Sequence, residues 1–270
     1  VDAWYGERMD RPTRDRARTV AAARRGEIAA RAPLMEQLRN APSPYWRAVA
    51  ADLLEGWAYE PNVRSGLIDA VGHTNALVRA NAIHSLAPLV DQGDAALAET
   101  LRPALEDPSR SVRFEAAWAL RSDLNLSSSA GRELMETLAV NADQPSGQAR
   151  LGAFHLSRRD GAKALEHYRR AVEWDPYSPG LRNELAVVYS MVGQSQRALA
   201  ELVRACELAP EDPSFRYRLA LAQAEVGAMA EAIASLRRTT ELDPNYGRAW
   251  YNLGLALNGQ GDPEAAMDAL

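Results

Sequence analysis

The sequence is poor in the residues from which many metal and cofactor sites are built. It contains one cysteine, Cys206, and four histidines among 270 residues. A single cysteine excludes an internal disulfide and a zinc site made of several thiolates. The glycine-rich loops of nucleotide-binding proteins and the paired histidines of zinc proteases are also missing from the sequence. We therefore expect a protein that is not an enzyme, with no metal and no cofactor in this chain.

Long apolar runs and an excess of positive charge are lacking as well. No apolar stretch approaches the roughly 20 residues that span a bilayer, so we expect no membrane insertion. The formal net charge is -5 at pH 7, which argues against a nucleic-acid partner.

The strongest exception to this charge balance is the N-terminal end. Acidic residues are interleaved there at helical spacing, as in Glu7 with Arg11 and Asp10 with Arg14. A solvated helix face is therefore favoured over a phosphate-binding arm, although Trp4 and Tyr5 indicate a contact with a further segment. The arginines concerned are Arg8, Arg11, Arg14, Arg16, Arg18, Arg24 and Arg25.

Small residues, above all alanine, dominate the amino-acid composition. The chain has 50 alanines but only three phenylalanines. Alanine has the highest helix propensity and allows close approach of neighbouring helices. The composition therefore favours a helical protein over one built on sheets.

The C-terminal half repeats with a period of 34 residues, seen at Pro176, Pro210 and Pro244. This is the length of the tetratricopeptide repeat, and the segment resembles that family. The resemblance implies pairs of antiparallel helices, about three and a half in number, with the last pair truncated. The matching residues are Leu151, Gly152, His155, Ala164, Tyr168 and Ala171; then Leu185, Ala186, Tyr189, Ala198, Leu202 and Ala205; then Leu219, Ala220, Gln223, Ala232 and Leu236; then Trp250, Leu253, Gly254 and Ala266.

Small residues recur on both helices of each unit, and we expect them to form tight helix crossings. Gly193, Gly227 and Gly261 are predicted to lie in the turn between the two helices. His155 and Gln223 occupy positions where the family usually has an aromatic residue, and Thr239 replaces a small one.

The N-terminal half repeats more loosely around Arg47, Arg79 and Arg113, each followed by alanine and leucine at helical spacing. The run from Asp107 through Leu120 is similar to the second helix of a HEAT repeat. The preceding first helices are predicted at residues 29–38, 62–71 and 94–105. A boundary is expected at residues 122–130, followed by a helix at about 131–141.

These patterns predict an all-α superhelix, or solenoid, of two arrays. HEAT-like repeats occupy residues 1–125, a connecting helix or linker occupies 126–142, and tetratricopeptide repeats occupy 143–270.

The resemblance to tetratricopeptide proteins also implies a binding surface, because their first helices line a concave face. We predict that this face binds a protein or peptide partner, although some of its residues could instead cover the adjacent helix. The lysine and asparagine clamp by which some family members hold a C-terminal carboxylate is not recognisable. The candidate residues are Asn183, Val187, Met191, Tyr217, Leu221, Glu225, Arg248, Tyr251 and Leu255.

Two residues with reactive side chains are assigned structural roles. Cys206 follows a packing alanine, so we expect a small, partly buried apolar residue and not a reactive thiol. His155 takes a packing position between helices, so a structural role is favoured over that of a metal ligand.

The order of the two arrays and the opening residues Val1 to Gly6 resemble the C-terminal region of bacterial multihaem cytochromes c. The resemblance implies a periplasmic protein, with the cytoplasm as the alternative. Any c-type haem would be attached upstream, since this chain has no C-x-x-C-H motif. Two functions are compatible with these patterns. One is a non-catalytic protein-interaction scaffold that forms a docking or structural module of a larger exported protein. The other is a structural part of such a cytochrome that contacts an upstream domain of the same chain and has no separate partner.

Overall fold

The computed structural model describes residues 12–261 and 263–268, and within these ranges the chain forms α-helices and short 3₁₀ helices without a β-strand. The all-α prediction is confirmed. Arg8, Arg11, Trp4 and Tyr5 lie outside the described residues. The helices are α1 (Pro12–Arg24), α2 (Arg31–Asn40), α3 (Pro44–Leu53), α4 (Pro61–Val71), α5 (Ala76–Asp91), α6 (Ala95–Leu101), α7 (Arg110–Ala119), α8 (Ser129–Val140), α9 (Pro145–Ser157), α10 (Gly161–Trp174), α11 (Pro179–Met191), α12 (Ser195–Leu208), α13 (Pro213–Glu225), α14 (Met229–Leu242), α15 (Gly247–Gly259) and α16 (Pro263–Asp268).

The chain divides into two compact units between Thr137 and Leu138, within α8. In the first unit, α3 packs on α5 and α5 packs on α7, so the second helices of successive repeats are neighbours. In the second unit, each pair α9–α10, α11–α12 and α13–α14 packs against the next pair in sequence. Each unit is therefore a stack of helix pairs.

The first helix of the third HEAT-like repeat is not one continuous helix over residues 94–105, as the sequence predicted. Helix α6 ends at Leu101, and residues Arg102–Glu106 continue as a 3₁₀ helix. Pro103 has no N–H to donate to the carbonyl of Glu99, which removes one α-helical hydrogen bond at the point where the helix changes to 3₁₀. A 3₁₀ helix also precedes α2, at Ile28–Ala30, and another follows α3, at Glu55–Trp57.

The repeated arginines of the N-terminal unit fasten each second helix to the loop before it. Arg47, Arg79 and Arg113 all donate to backbone carbonyl oxygens five or six residues earlier, at 2.6–3.1 Å. Arg79 also forms a two-pronged ion pair with Asp107, with both N–O distances at 2.8 Å. Arg113 pairs in the same way with Glu133, at 2.7 and 2.8 Å. The guanidinium groups of Arg79 and Arg113 thus also tie their helices to residues further along the stack.

Tight crossings in the C-terminal unit explain the repeated small residues. A Cβ atom added to Gly152 would lie 2.7 Å from the Tyr168 ring, so a larger residue would require the ring to move. The other small residues of the pattern are at most 4% exposed. They are Ala164, Ala186, Ala198, Ala220, Ala232 and Ala266.

The polar residues that depart from the family pattern are satisfied locally. The Gln223 side-chain oxygen accepts a hydrogen bond from the Ser235 hydroxyl at 2.7 Å. The buried Thr239 hydroxyl donates to the backbone carbonyl of Ser235 at 2.9 Å. These bonds allow polar side chains at core positions without leaving buried groups unpaired.

The turn between the two helices of a pair contains a residue whose backbone is in the left-handed conformation, with positive φ. Gly193, Gly227 and Gly261 have φ values of +75°, +82° and +84°, as expected of glycine in such turns. Arg159 occupies the corresponding position of the first pair with φ +61°. The sequence contains no glycine there, so the repeat register alone could have indicated a strained position.

Two histidines pack face to face between α9 and α10. The rings of His155 and His167 are stacked, with centroids 5.2 Å apart and planes 7° apart. His167 Nδ1 lies 2.8 Å from the side-chain oxygen of the buried Gln148. Burial lowers the pKa of both histidines, and nearby cationic side chains such as that of Lys163 lower them further. Neutral imidazoles are therefore favoured in the folded state.

We expect the C-terminal unit to lose stability as the pH falls below about 6.5, the ordinary histidine pKa. In that range the unfolded chain takes up protons that folded His155 and His167 resist, so acidification favours unfolding. His84 in the N-terminal unit behaves oppositely, because a hydrogen bond to Glu115 raises its pKa and its contribution is lost as the pH rises. Amide hydrogen exchange at pH 7.5 and 5.5 measures each unit separately.

The matched variants are His155→Phe and His84→Gln. His155→Phe should reduce the acid-induced loss of protection in α9 and α10, whereas His84→Gln should leave that loss unchanged. Equal acid sensitivity of α9 and α10 in all three proteins would contradict the assignment.

Candidate functional site

The predicted binding residues lie on the first helices α11, α13 and α15 of the C-terminal unit. Met191, Tyr251 and Leu255 are more than half exposed, and Leu221 is 44% exposed. Val187 is partly buried one turn before Met191. Large apolar side chains are thus exposed on all three helices. We call the nine predicted residues the first-helix face.

Tyr217 is less available than its repeat position suggests. It is half-buried, its ring centroid lies 5.1 Å from that of Tyr246, and its hydroxyl accepts a hydrogen bond from Asn252 at 2.8 Å. Tyr251, one repeat later, is 58% exposed. Tyr217 therefore covers the neighbouring helix pair, the structural alternative considered for this face, while Tyr251 extends into solvent.

Glu225 is exposed but its carboxylate is already engaged. It accepts hydrogen bonds from the hydroxyls of Ser190 at 2.7 Å and Ser195 at 2.5 Å. These bonds lower the pKa of Glu225 and hold it ionised. Because Ser195 is the first residue of α12, the charge also lies close to the positive end of that helix. Glu225 thus joins α13 to the preceding helix pair.

The remaining predicted polar residues differ in environment. Arg248 is exposed in the first turn of α15. The side-chain oxygen of Asn183 is buried, and among the described residues it has no hydrogen-bond donor.

A cleft of about 140 Å³ opens between α11 and α13, and repeat position alone did not reveal it. Its floor is made by small and aliphatic residues of the core, and its two ends carry Arg218 and Glu225. Helical spacing could have identified Arg218, which lies three residues before Leu221. The lining residues are Ala186, Val187, Ser190, Ala198, Leu202, Arg218, Leu221, Ala222 and Glu225.

Cys206 does not contribute to this face. It is 5% exposed, and burial raises the pKa of its thiol. Cys206 is thus more deeply buried than the partly buried position expected of it, and a thiol with a raised pKa is a poor nucleophile.

No group of three or more histidine, cysteine or acidic side chains in the described part of the chain is arranged to hold a metal ion. Within the same residues, every helix is too short or too polar to cross a membrane.

Comparison with protein families finds both repeat types. The HEAT repeat profile matches residues 31–121 and 65–145. Two tetratricopeptide repeat profiles match residues 184–247 and 230–270, and residues 167–200. The two repeat predictions are therefore confirmed. No curated protein matches the sequence significantly.

Several solved structures are similar to parts of the chain. A crystal structure of MamA is 24% identical, covers 52% of this chain and 82% of its own, and has a TM-score of 0.47. YrrB, described as a TPR protein with an unusual peptide-binding site, is 23% identical, with coverages of 64% and 89% and a TM-score of 0.46. MamA from Desulfovibrio magneticus RS-1 is 17% identical, with coverages of 69% and 90% and a TM-score of 0.44.

Proposed function

We propose that this protein is a non-catalytic interaction scaffold whose first-helix face binds an extended segment of a protein partner. The observation that carries the proposal is the row of exposed apolar side chains on three neighbouring helices, Met191, Leu221, Tyr251 and Leu255. Exposed apolar groups that are contiguous and rimmed by polar residues are typical of interaction surfaces.

The local packing also supports binding by a surface that is largely preformed. Hydrogen bonds from Ser190 and Ser195 to Glu225, and from Asn252 to Tyr217, join α13 to the helix pairs on either side. Such bonds hold the three first helices in register before any partner arrives. A preformed surface loses less conformational entropy on binding.

The proposal is tested by selecting ligands for the purified chain from a random peptide display library. Leu221→Asp places a charge on the apolar face and should weaken the selected peptides at least tenfold. Val203→Asp is the matched control, because Val203 is 39% exposed but lies on the second helix α12. Circular dichroism should be the same for both variants.

Equal loss of binding in Leu221→Asp and Val203→Asp would contradict the proposal, as would a library that yields no peptide sensitive to Leu221→Asp. Tyr217 is unsuitable for truncation because its hydroxyl and ring support the fold.

A narrower form of the proposal rests on the resemblance to multihaem cytochromes c. In this form the scaffold is a docking module of a larger exported, periplasmic protein. The alternative is a structural part of such a cytochrome that packs on an upstream domain without a separate partner. The natural protein purified from its source should show the absorption spectrum of c-type haem if it is part of such a cytochrome. A colourless protein would exclude the cytochrome.

A further inference from the structure

We infer that the cleft between α11 and α13 selects an acidic peptide, in which one aliphatic side chain fills the cleft and a neighbouring carboxylate pairs with Arg218. The inference rests on the proposed function and specifies the chemistry of its ligand.

The size and lining of the cleft fit one apolar side chain. Its volume of about 140 Å³ is close to that of cavities that hold benzene, about 150 Å³. Val187 and Leu221 form its walls, and buried Leu202 lies at its base. A branched aliphatic side chain entering here would gain apolar contacts on several sides.

Arg218 is the other charged group of the cleft, and its guanidinium is not held by a hydrogen bond among the described residues. It is exposed, and within the described residues it forms neither a hydrogen bond nor an ion pair. Burial raises the pKa of Glu184, and the nearby charge of Arg218 opposes this shift without an ion pair between the two side chains. The guanidinium of Arg218 therefore has donors available for an incoming carboxylate.

The other end of the cleft is different, because Glu225 is satisfied by two serine hydroxyls. Arg218 and Glu225 are seven residues apart on α13, which corresponds to about 10 Å along a helix. An acidic ligand group is attracted to the first end and repelled from the second. The charges therefore favour one direction for the bound segment.

The distance between Arg218 and Glu225 limits the position of the acidic residue in the ligand peptide. An extended chain advances about 3.3 Å per residue, so roughly three residues span the distance from Arg218 to Glu225. If the aliphatic residue occupies the middle of the cleft, the carboxylate lies one or two residues away in sequence. The expected ligand is therefore an extended peptide with Asp or Glu one or two positions from Leu, Ile or Val.

The test uses two fluorescein-labelled peptides of glycine and serine with a central leucine, one with glutamate two positions before the leucine and one with glutamate two positions after it. Fluorescence anisotropy with the full chain should show at least tenfold tighter binding of one of these peptides than of its versions with lysine for glutamate or alanine for leucine. Arg218→Glu should reverse the preference, so that the lysine peptide becomes the tighter ligand. Arg169→Glu is the matched control, since Arg169 is an exposed arginine on the second helix α10.

The outcomes separate this inference from the proposed function. Reversal of preference in Arg218→Glu but not in Arg169→Glu supports the inference. Library peptides that depend on Leu221 but bind equally well to Arg218→Glu would overturn the inference and leave the proposed function standing. Failure of both the designed peptides and the library to show any dependence on Leu221 would overturn both.

Discussion

Replacing Gly147 with alanine is expected to destabilise the C-terminal unit by about 3 kcal/mol or more. The loop before α9 folds back over the first turn of that helix, where a Cβ atom on Gly147 would lie 1.6 Å from the backbone oxygen of Asn141. A flexible side chain could move aside, but here the obstacle is backbone. The same loop is held by a hydrogen bond from the Gln148 side chain to the Ala142 carbonyl, so relief requires breaking local structure.

Gly180→Ala is the matched control for this substitution. Gly180 lies in the first turn of α11, and its Cβ would meet nothing closer than 3.9 Å. Alanine should therefore be neutral or slightly stabilising at this position. Urea unfolding followed by circular dichroism compares the two variants. A Gly147→Ala protein as stable as Gly180→Ala would show that the loop does not pack on α9 as described.

Arg79→Ala is expected to destabilise the N-terminal unit by about 2–4 kcal/mol. The side chains of Arg79 and Asp107 are only 14% and 12% exposed. Truncation removes a two-pronged ion pair and two hydrogen bonds to the loop carbonyls of His73 and Thr74. It also leaves the Asp107 carboxylate poorly solvated, which makes removal of one partner costly.

Arg102→Ala is the control, because its pair with Glu99 has side chains 42% and 68% exposed, and such exposed pairs contribute little to stability. Urea unfolding at pH 7 measures both variants.

A second measurement varies the pH. Arg79 lowers the pKa of Asp107 in the folded protein. The stability that the pair contributes is therefore fully present above the ordinary aspartate pKa of about 3.9 and is lost as the pH falls through the lower folded pKa. The free energy of unfolding of Arg79→Ala should therefore fall less than that of the parent on acidification. A cost in Arg79→Ala no larger than that in Arg102→Ala would contradict the buried pairing.

In the N-terminal unit, the repeated arginines could be recognised from the sequence, but the partners of their side chains could not. The recurrence of Arg47, Arg79 and Arg113 predicted their repeat positions. It did not predict the partners of Arg79, because Asp107 lies 28 residues later and meets it only when successive helices stack. Pro103 lies where the first helix of the third repeat changes to 3₁₀, and its position in the sequence could have indicated that change.

In the C-terminal unit, the period of 34 residues predicted the helix pairs, the turn glycines and the small residues at the crossings. It treated Tyr217 and Tyr251 as equivalent because they share a repeat position. The structure makes them different: the hydroxyl of Tyr217 is held by Asn252, whereas Tyr251 is exposed. Such differences depend on the neighbouring repeat and not on the period.

The sequence by itself determined that each of the two units is a stack of helix pairs, because small residues and helix-turn signals recur at fixed spacing and each act locally. Only the tertiary structure decided which charged side chains of the cleft are held by hydrogen bonds. Ser190 and Ser195 satisfy Glu225 from 35 and 30 residues away, while Arg218 has no such partner among the described residues. Hydrogen bonds between repeats depend on how the helices stack, so the chemistry of the cleft follows from the stacked helices and not from the repeat pattern.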